Sequence, residues 1–272
     1  MKLKQTLLAA IVTAGTIFGV QAAQAEKLRV GMECTYAPFN YRDASGELTG
    51  YDVDVAKGVA AIIGAELDFV CQKWDGMIPA LLANKFDLIV ASMSITEKRK
   101  KKIDFSEPYR VSIGRFVGAK KRKFDLFAED GSPKAANFDG VKVGVERAST
   151  YWEWIQAKMP SAKVQLYDNN EALFLDLQNG RVDVIMTNPM KAFLKFLSKE
   201  DGKGYEFVSP ALNEEAYFGT GVGIGLRQGN DELRARLDKA VVELAKNGSL
   251  EKYSLKYFPF SIHPDNWGGV SN

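Results

Sequence analysis

The stretch "FDLIVASMSITEKR", residues 86–99, decides the fold of this chain because it joins a buried strand directly to a capped helix. The first half is a short, continuously apolar run, which is typical of a strand covered on both faces. The second half places Thr96 where a helix N-cap belongs, and Glu97 follows in the first turn of the helix. A buried strand that leads into a helix is the repeating unit of an α/β fold.

The same alternation of strands and helices extends along the chain. Residues 51–63 carry apolar side chains at spacings of three and four, which predicts an amphipathic helix that ends at Gly64. From Phe116 a second series begins, with the strand-like runs "RFVGAKK", "VKVGVER", "VQLYD" and "VDVIMTN". A long helix is predicted for residues 231–247. The sequence therefore predicts an α/β fold of two lobes, each a mostly parallel sheet flanked by helices.

The two lobes are expected to share the chain unequally. Residues 26–113 and 219–272 are predicted to form lobe 1, and residues 114–218 are predicted to form lobe 2. The chain then crosses between lobes twice, near 110–117 and 215–222. Two paired crossing strands make a hinge, and the carboxyl ends of the strands line a cleft where ligands of such sheets bind.

Residues 1–25 read as a secretory signal rather than as part of the fold. Lys2 and Lys4 form a positive end, residues 7–20 are largely apolar, and an A-x-A cleavage site ends at Ala25. The alternative is a membrane anchor, but the apolar run is shorter than the roughly 20 residues that a spanning helix needs. The sequence therefore predicts an exported chain that is cleaved after Ala25.

The charge of the mature chain gives no indication of a polyanionic partner. The leader holds two of the 36 Lys and Arg residues and none of the 34 Asp and Glu residues, so the mature chain is electrically balanced. A balanced chain does not favour binding to nucleic acid or to an anionic membrane.

Two cysteines, Cys34 and Cys71, each follow a strand-like run. If those strands are parallel neighbours, both thiols lie at the same edge of the sheet, and we expect a disulfide in an exported protein. Two reduced thiols remain the alternative. With only two cysteines and one histidine, the sequence does not indicate a zinc site, and no cofactor is expected.

The residues behind the buried strand are suited to a carboxylate ligand. Ser92 and Ser94 follow the strand, and Arg99 lies one turn into the helix, so hydroxyls, free N–H groups and a guanidinium meet at the strand end. In lobe 2, Ser149 or Thr150 begins a helix whose first N–H groups are expected to face the same cleft. For the segment that contains Arg99, the alternative is an ordinary capped helix with a solvated cationic face.

Three longer segments carry a family resemblance: "TYAPFNYRDASGELTGYDVDVAKGVA", "WDGMIPALLANKFDLIVASMSITEKRKKKIDFSEPY" and "FGTGVGIGLR". They resemble the polar amino-acid-binding family of bacterial ABC-transporter solute-binding proteins, close to those for lysine/arginine/ornithine, histidine and opines. The resemblance covers residues 27–260. It implies a monomer with the two-lobe periplasmic-binding-protein fold, which captures a small solute in the periplasm and delivers it to the membrane subunits of an ABC permease.

The resemblance also implies roles for individual residues. Arg99 would clamp the ligand α-carboxylate, Tyr36 and Trp74 would sandwich the ligand side chain, and Glu33 would face a distal cation. The positions of Glu33 after the first strand and Trp74 after the second agree with this, although both aromatic residues could instead belong to the core. The predicted ligand-binding set is Glu33, Tyr36, Trp74, Ser92, Met93, Ser94, Arg99, Arg147, Ser149, Thr150 and Asn188.

One position departs from the family pattern. Relatives that bind ordinary amino acids usually have an acidic residue after the strand "GRVDVIMT", where it takes the α-ammonium, but this chain has Asn188. An amide brings no countercharge. Arg147 would be available for an additional carboxylate of the ligand. Two ligand classes therefore stay open: a basic amino acid, or an arginine-like conjugate such as an opine.

A binding module is the main functional prediction, and an enzyme on the same scaffold is the alternative. A periplasmic dehydratase of the cyclohexadienyl type would use a pocket carboxylate such as Glu33 as general acid, with a pKa raised by burial. The sequence contains no G-x-S-x-G or P-loop motif. His263, the only histidine, lies in a polar tail and is expected at the surface. Because the main prediction is a binding module, no catalytic residue is predicted.

Overall fold

A computed structural model describes residues 25–262 of the chain. Residues 1–24 of the predicted signal peptide, and His263, lie outside the described residues. The strands are β1 Glu26–Met32, β2 Thr35–Tyr36, β3 Asn40–Arg42, β4 Leu48–Thr49, β5 Ala65–Cys71, β6 Leu88–Ile89, β7 Asp104–Phe105, β8 Arg115–Ala119, β9 Lys142–Glu146, β10 Lys163–Tyr167, β11 Val184–Thr187, β12 Tyr205–Phe207 and β13 Gly225–Leu226. The α-helices are α1 Tyr51–Ile63, α2 Met77–Leu82, α3 Glu97–Lys100, α4 Thr150–Lys158, α5 Asn170–Gln178, α6 Pro189–Ala192, α7 Glu215–Phe218, α8 Asp231–Lys246 and α9 Ser249–Tyr257.

Two five-stranded sheets form the two lobes. The lobe 1 sheet has the strand order β5-β1-β6-β13-β7, and the lobe 2 sheet has the order β10-β9-β11-β8-β12. Helices cover the sheets because their apolar stripes need a partner surface, and α8, for example, buries Leu233, Leu237, Val241 and Leu244 in the lobe 1 core. The predicted two-lobe α/β fold is confirmed, whereas the residue boundaries of the lobes stay a prediction.

Each sheet is mostly parallel, as predicted, because four of its five strands run in the same direction and one runs against them. In lobe 1, β1 pairs in parallel with β5 and β6, but β13 is antiparallel to both β6 and β7. In lobe 2, β9 pairs in parallel with β10 and β11, but β8 is antiparallel to both β11 and β12. The βαβ pattern in the sequence predicted the parallel pairs only, because the antiparallel strands β8 and β13 follow the crossings between lobes.

The crossing segments pair with each other between the sheets. Val222 forms isolated bridges with Ser94 and with Arg110, and Gly114 forms one with Leu212. The backbone N–H of Tyr109 also donates to the carbonyl of Val222 at 2.7 Å. The chain therefore passes between the lobes along two adjacent extended segments.

A small third sheet, β2-β3-β4, was not predicted and anchors the loop after β1. The Asn40 side-chain oxygen accepts the backbone N–H groups of Glu33 and Cys34 at 3.0 and 3.1 Å, and its amide donates to Asp52 Oδ2 at 2.7 Å. The loop that carries Glu33 is therefore fixed to the first helix.

Among the described residues, none of the helices combines the length and the apolar character needed to cross a bilayer.

The predicted disulfide between Cys34 and Cys71 is present. Strands β1 and β5 are parallel neighbours, with Met32 opposite Cys71, so the loop after β1 brings Cys34 to the end of β5. The two Cα atoms are 5.6 Å apart, and the bond closes a loop of 37 residues.

We predict that replacing both cysteines by serine lowers the free energy of unfolding by about 2 to 4 kcal/mol, because the cross-link restricts the unfolded chain. Chemical denaturation of the double variant against the wild type measures this difference. Wild-type protein treated with reductant provides the matched comparison, since it should lose the same stability without any substitution. Equal midpoints for the oxidised and reduced proteins would contradict the prediction.

Candidate functional site

A cavity of about 430 Å³ lies between the two lobes, and we call it the central cavity. It is lined by Glu33, Tyr36, Trp74, Ala91, Ser92, Ser94, Arg99, Arg110, Ser112, Glu146, Ser149, Thr150, Tyr151, Asn188 and Val222. All of the predicted ligand-binding residues are in this lining except Met93 and Arg147.

Arg99 is a buried cation at the centre of this lining. Thr96 caps its helix by accepting the Arg99 backbone N–H, and Arg99 Nη1 donates to the carbonyl of Ser94 at 3.0 Å. Its Nη2 donates across the cleft to the carbonyl of Ala148 at 3.4 Å, and its guanidinium lies 5.2 Å from the Trp74 ring centroid. Burial lowers the pKa of Arg99 to about 10, so the side chain stays charged at neutral pH.

No carboxylate in residues 25–262 lies within 4.0 Å of the Arg99 guanidinium. A buried charge that lacks a countercharge is costly, and an anionic ligand would remove that cost. Carbonyl contacts fix the fork of the guanidinium but do not pair its charge, and Glu153 acts on it only at a distance. This geometry is suited to binding an anion.

Lobe 2 brings a helix N-terminus to the same cavity. Ser149 caps α4 by accepting the backbone N–H of Trp152 at 3.2 Å, and Thr150 and Tyr151 in the first turn line the cavity. The first N–H groups of a helix and its dipole favour a negative charge. Arg99 from lobe 1 and α4 from lobe 2 thus present positive potential to the same space.

The central cavity also has an acidic region, formed by Glu33 and Glu146. Glu33 Oε1 accepts the Thr35 hydroxyl at 3.0 Å, and Glu146 Oε2 accepts the Asn170 amide at 3.0 Å. The second oxygen of Glu146, Oε1, is buried and has no hydrogen-bond partner among the described residues. Burial raises the pKa of both carboxyls, and the ammonium of Lys191 opposes this rise. The unsatisfied acceptor is suited to a donor from a cationic ligand group.

Lys191 is a resident cation next to this acidic region. Its side chain is 1% exposed, its Nζ lies 4.2 Å from the Tyr36 ring centroid, and Glu171 Oε1 is 3.6 Å away. Tyr36 also stacks on Phe39, with centroids 5.3 Å apart. Tyr36 therefore belongs both to the cavity lining and to the packed interior, whereas Trp74 is held across the cleft by its Nε1 hydrogen bond to Ala148, at 3.3 Å.

The structure does not bring Met93 and Arg147 to the central cavity. Met93 lies between Ser92 and Ser94, and because side chains alternate along an extended segment it points into the hydrophobic core with Ile95 and Phe105. Arg147 follows Glu146, which faces the cavity, so Arg147 points outward and donates to Asp168 Oδ1 at 2.6 Å. Neither side chain reaches the central cavity, as the predicted ligand-binding roles would require.

Sequence reasoning missed four polar residues of the lining: Arg110, Ser112, Glu146 and Tyr151. Glu146 ends strand β9, so the argument that placed Glu33 at a strand end would also have found it. Arg110 and Ser112 belong to a crossing segment. The one signal that could have found them is the charge of Arg110 in a segment expected to be buried.

Asn188 lines the cavity and is 1% exposed. Its side-chain oxygen caps α6 by accepting the backbone N–H groups of Met190 and Lys191, at 2.9 and 3.1 Å. The neutral side chain therefore has a structural task as N-cap and also faces the space between the lobes. Aspartate is an equally good N-cap, so the cap does not itself require the amide.

Comparison with known proteins identifies the family. The sequence model of bacterial extracellular solute-binding proteins, family 3, matches residues 28–260. This chain belongs to that family. It is 36% identical over 244 residues to the histidine-binding periplasmic protein of Salmonella typhimurium, covering 89% of this chain and 91% of that protein.

Two solved structures of related proteins resemble the whole fold. An ancestral arginine-binding protein bound to arginine has a TM-score of 0.75 and 35% identity, covering 85% of this chain and 98% of that one. An ancestral amino-acid-binding protein described as a precursor of cyclohexadienyl dehydratase has a TM-score of 0.72 and 30% identity, covering 85% and 95%. Both share the two-lobe architecture seen here.

We predict that the free energy of unfolding falls as the pH rises above about 5, because Glu33 and Glu146 bind protons more tightly in the folded state than in the unfolded state. Glu146→Gln should make this decline shallower, since the amide cannot ionise. Denaturant unfolding at several pH values between 5 and 8 measures both slopes.

The matched control is Glu206→Gln, which changes an exposed carboxylate that does not line the central cavity. Its slope should follow the wild type. If Glu146→Gln retained the wild-type slope, the buried Glu146 carboxyl would not be the source of the pH dependence.

Proposed function

We propose that this protein is the periplasmic solute-binding component of an ABC importer and that its ligand is an amino acid or an amino-acid conjugate with a cationic side chain. The observation that carries the proposal is the buried Arg99 guanidinium, which has no carboxylate partner in the described residues and lines the cavity between the lobes. The names of the relatives, which bind histidine and arginine, support the same ligand class.

The two charged regions of the cavity define an orientation for the ligand. Its carboxylate would bind Arg99 and the N-terminus of α4, where the helix dipole adds to the guanidinium. Its cationic end would bind Glu33 and the free oxygen of Glu146. Because Asn188 supplies no negative charge, we keep two ligands in the proposal: a basic amino acid, and an arginine-like conjugate such as an opine.

Ligand binding would favour the closed arrangement of the lobes. Arg99 and Trp74 of lobe 1 donate to the Ala148 carbonyl of lobe 2, and Lys98 forms an ion pair with Glu153 at 2.9 Å across the same cleft. A ligand that contacts both lobes binds the closed state more tightly and shifts the equilibrium toward it. The permease subunits would then recognise the closed monomer, after export of the chain and cleavage behind Ala25.

We propose binding rather than catalysis for the cavity carboxylates. A raised pKa of Glu33 also suits a general acid. The relative and both structural neighbours described above are, however, named as binding proteins, and an acidic residue facing a ligand cation needs no chemical step.

We predict that Arg99→Ala weakens the binding of arginine by at least about 30-fold, because the mutation removes the partner of a buried carboxylate. Calorimetric titration of protein that has been unfolded and refolded to remove bound solute measures the dissociation constant. Lys101→Ala is the matched control, since Lys101 is an exposed cation in the same segment and should leave affinity unchanged. Unaltered affinity in the Arg99 variant would refute the proposed site.

We also predict that Asn188→Asp strengthens the binding of a primary amino acid by about 10-fold, since a carboxylate pairs with the α-ammonium. The helix cap should survive, because aspartate accepts the same backbone N–H groups. Asn188→Ser, which keeps an N-cap but adds no charge, is the control. Equal affinities for both variants would show that charge at this position does not reach the ligand.

A further inference from the structure

The central cavity contains a second buried guanidinium, that of Arg110. This residue lies in the first crossing segment, is 2% exposed and lines the same cavity as Arg99. Its bridge to Val222 fixes its backbone between the two lobes. A ligand in the cavity would therefore meet two cationic side chains. The same lining contains the Ser94 and Ser112 hydroxyls, which are 2.7 Å apart.

The protein satisfies only part of the Arg110 guanidinium. Nη1 donates to the carbonyl of Val111 at 2.8 Å, and the guanidinium carbon lies 4.4 Å from the Phe39 ring centroid. The Nε group is buried without a hydrogen-bond partner among residues 25–262. A buried donor that is left unpaired costs free energy, and a ligand acceptor would remove that cost.

Asp52 is the buried carboxylate that could compete for Arg110, but other groups already occupy its oxygens. Oδ2 accepts the Asn40 amide at 2.7 Å and the Ser92 hydroxyl at 2.8 Å, and Oδ1 accepts the Tyr109 hydroxyl at 2.9 Å. In the described part of the chain, no ion pair within 4.0 Å joins Asp52 to Arg110. Asp52 therefore contributes countercharge at a distance and does not pair with Arg110 Nε, which has no hydrogen-bond partner among the described residues.

Arg110 shares the cavity lining with Asn188, the position where relatives usually have an acidic residue. Tyr151 belongs to the same lining, and its hydroxyl donates to the carbonyl of Ile113 at 3.2 Å. The cavity thus combines the neutral Asn188 with the cationic Arg110. This surrounding is unfavourable for a primary ammonium and favourable for an acidic substituent close to the nitrogen.

We propose that Arg110 is a second anion-binding residue of the cavity and that the preferred ligand is a conjugate with two carboxylates, one on Arg99 and one on Arg110. This inference rests on the proposed role of Arg99 and makes the ligand class narrower. It replaces Arg147, which points away from the cavity, as the partner of the additional carboxylate. The cationic end of such a ligand would still bind at Glu33 and Glu146.

Arg115 provides a matched control for a purely structural role of Arg110. It also stacks on an aromatic ring, with its guanidinium carbon 4.1 Å from the Phe207 centroid, and it also donates to a backbone carbonyl, that of Ser209. It does not line the central cavity. If Arg110 only packs and donates to the backbone, Arg110→Gln and Arg115→Gln should have the same effect on ligand binding.

The experiment compares two probes by calorimetric titration: arginine, and Nα-(1-carboxyethyl)arginine, which adds one carboxylate to the same molecule. We expect wild-type protein to bind the dicarboxylate more tightly. Arg110→Gln should weaken dicarboxylate binding by about 10- to 100-fold and should not weaken arginine binding, because arginine has no second carboxylate and its α-ammonium is freed from a neighbouring cation. Arg115→Gln should change neither. Equal losses for both probes in the Arg110 variant, or no loss, would overturn the inference.

Failure of the inference and failure of the proposed function give different results. Tight binding of arginine with weak binding of the dicarboxylate would overturn the role of Arg110 and leave the proposed function intact, whereas absence of binding for both probes would refute the proposed function. If Arg110→Gln does not fold, a crystal structure of wild-type protein with the dicarboxylate decides. A ligand carboxylate within 3.2 Å of Arg110 Nε or Nη2 would support the inference, and a carboxylate elsewhere would overturn it.

Discussion

The structure depends on one constraint: the cation of Arg99 is held in the interior without a carboxylate of its own among the described residues. The strand and capped helix that deliver it belong to lobe 1, but one of its hydrogen bonds goes to the Ala148 carbonyl of lobe 2. The same side chain therefore connects the lobes and is the one proposed to bind the ligand carboxylate. If it does, the ligand supplies the missing countercharge and favours the closed arrangement.

The polarity of the cavity follows from where strands and helices end. The N-terminus of α4 adds positive potential beside Arg99, while Glu33 and Glu146 follow or end strands β1 and β9 and supply the opposite charge. Each lobe thus contributes one positive and one negative group to the same space. The resident ammonium of Lys191 lowers the cost of burying two acids close together, and one oxygen of Glu146 remains free for a ligand.

Much of the fold and about half of the site could be predicted from the sequence. Periodicity located α1 and α8, and the strand-to-cap motif located Ser94 and Arg99, because those signals are local. Met93 and Arg147 were misplaced because alternation along an extended segment turns each away from the cavity. Arg110 depends on the pairing of two segments more than a hundred residues apart, and no local pattern encodes that pairing.

The late strand β13 has a consequence for how the molecule is built. All strands of the lobe 2 sheet lie in one uninterrupted stretch, 115–207, whereas the lobe 1 sheet has β13 between β6 and β7. During synthesis, which runs from the N-terminus, the middle of the chain can complete its sheet first. The lobe 1 sheet begins earlier in the chain but cannot be completed until residues 225–226 have been synthesised, after every strand of the lobe 2 sheet is available.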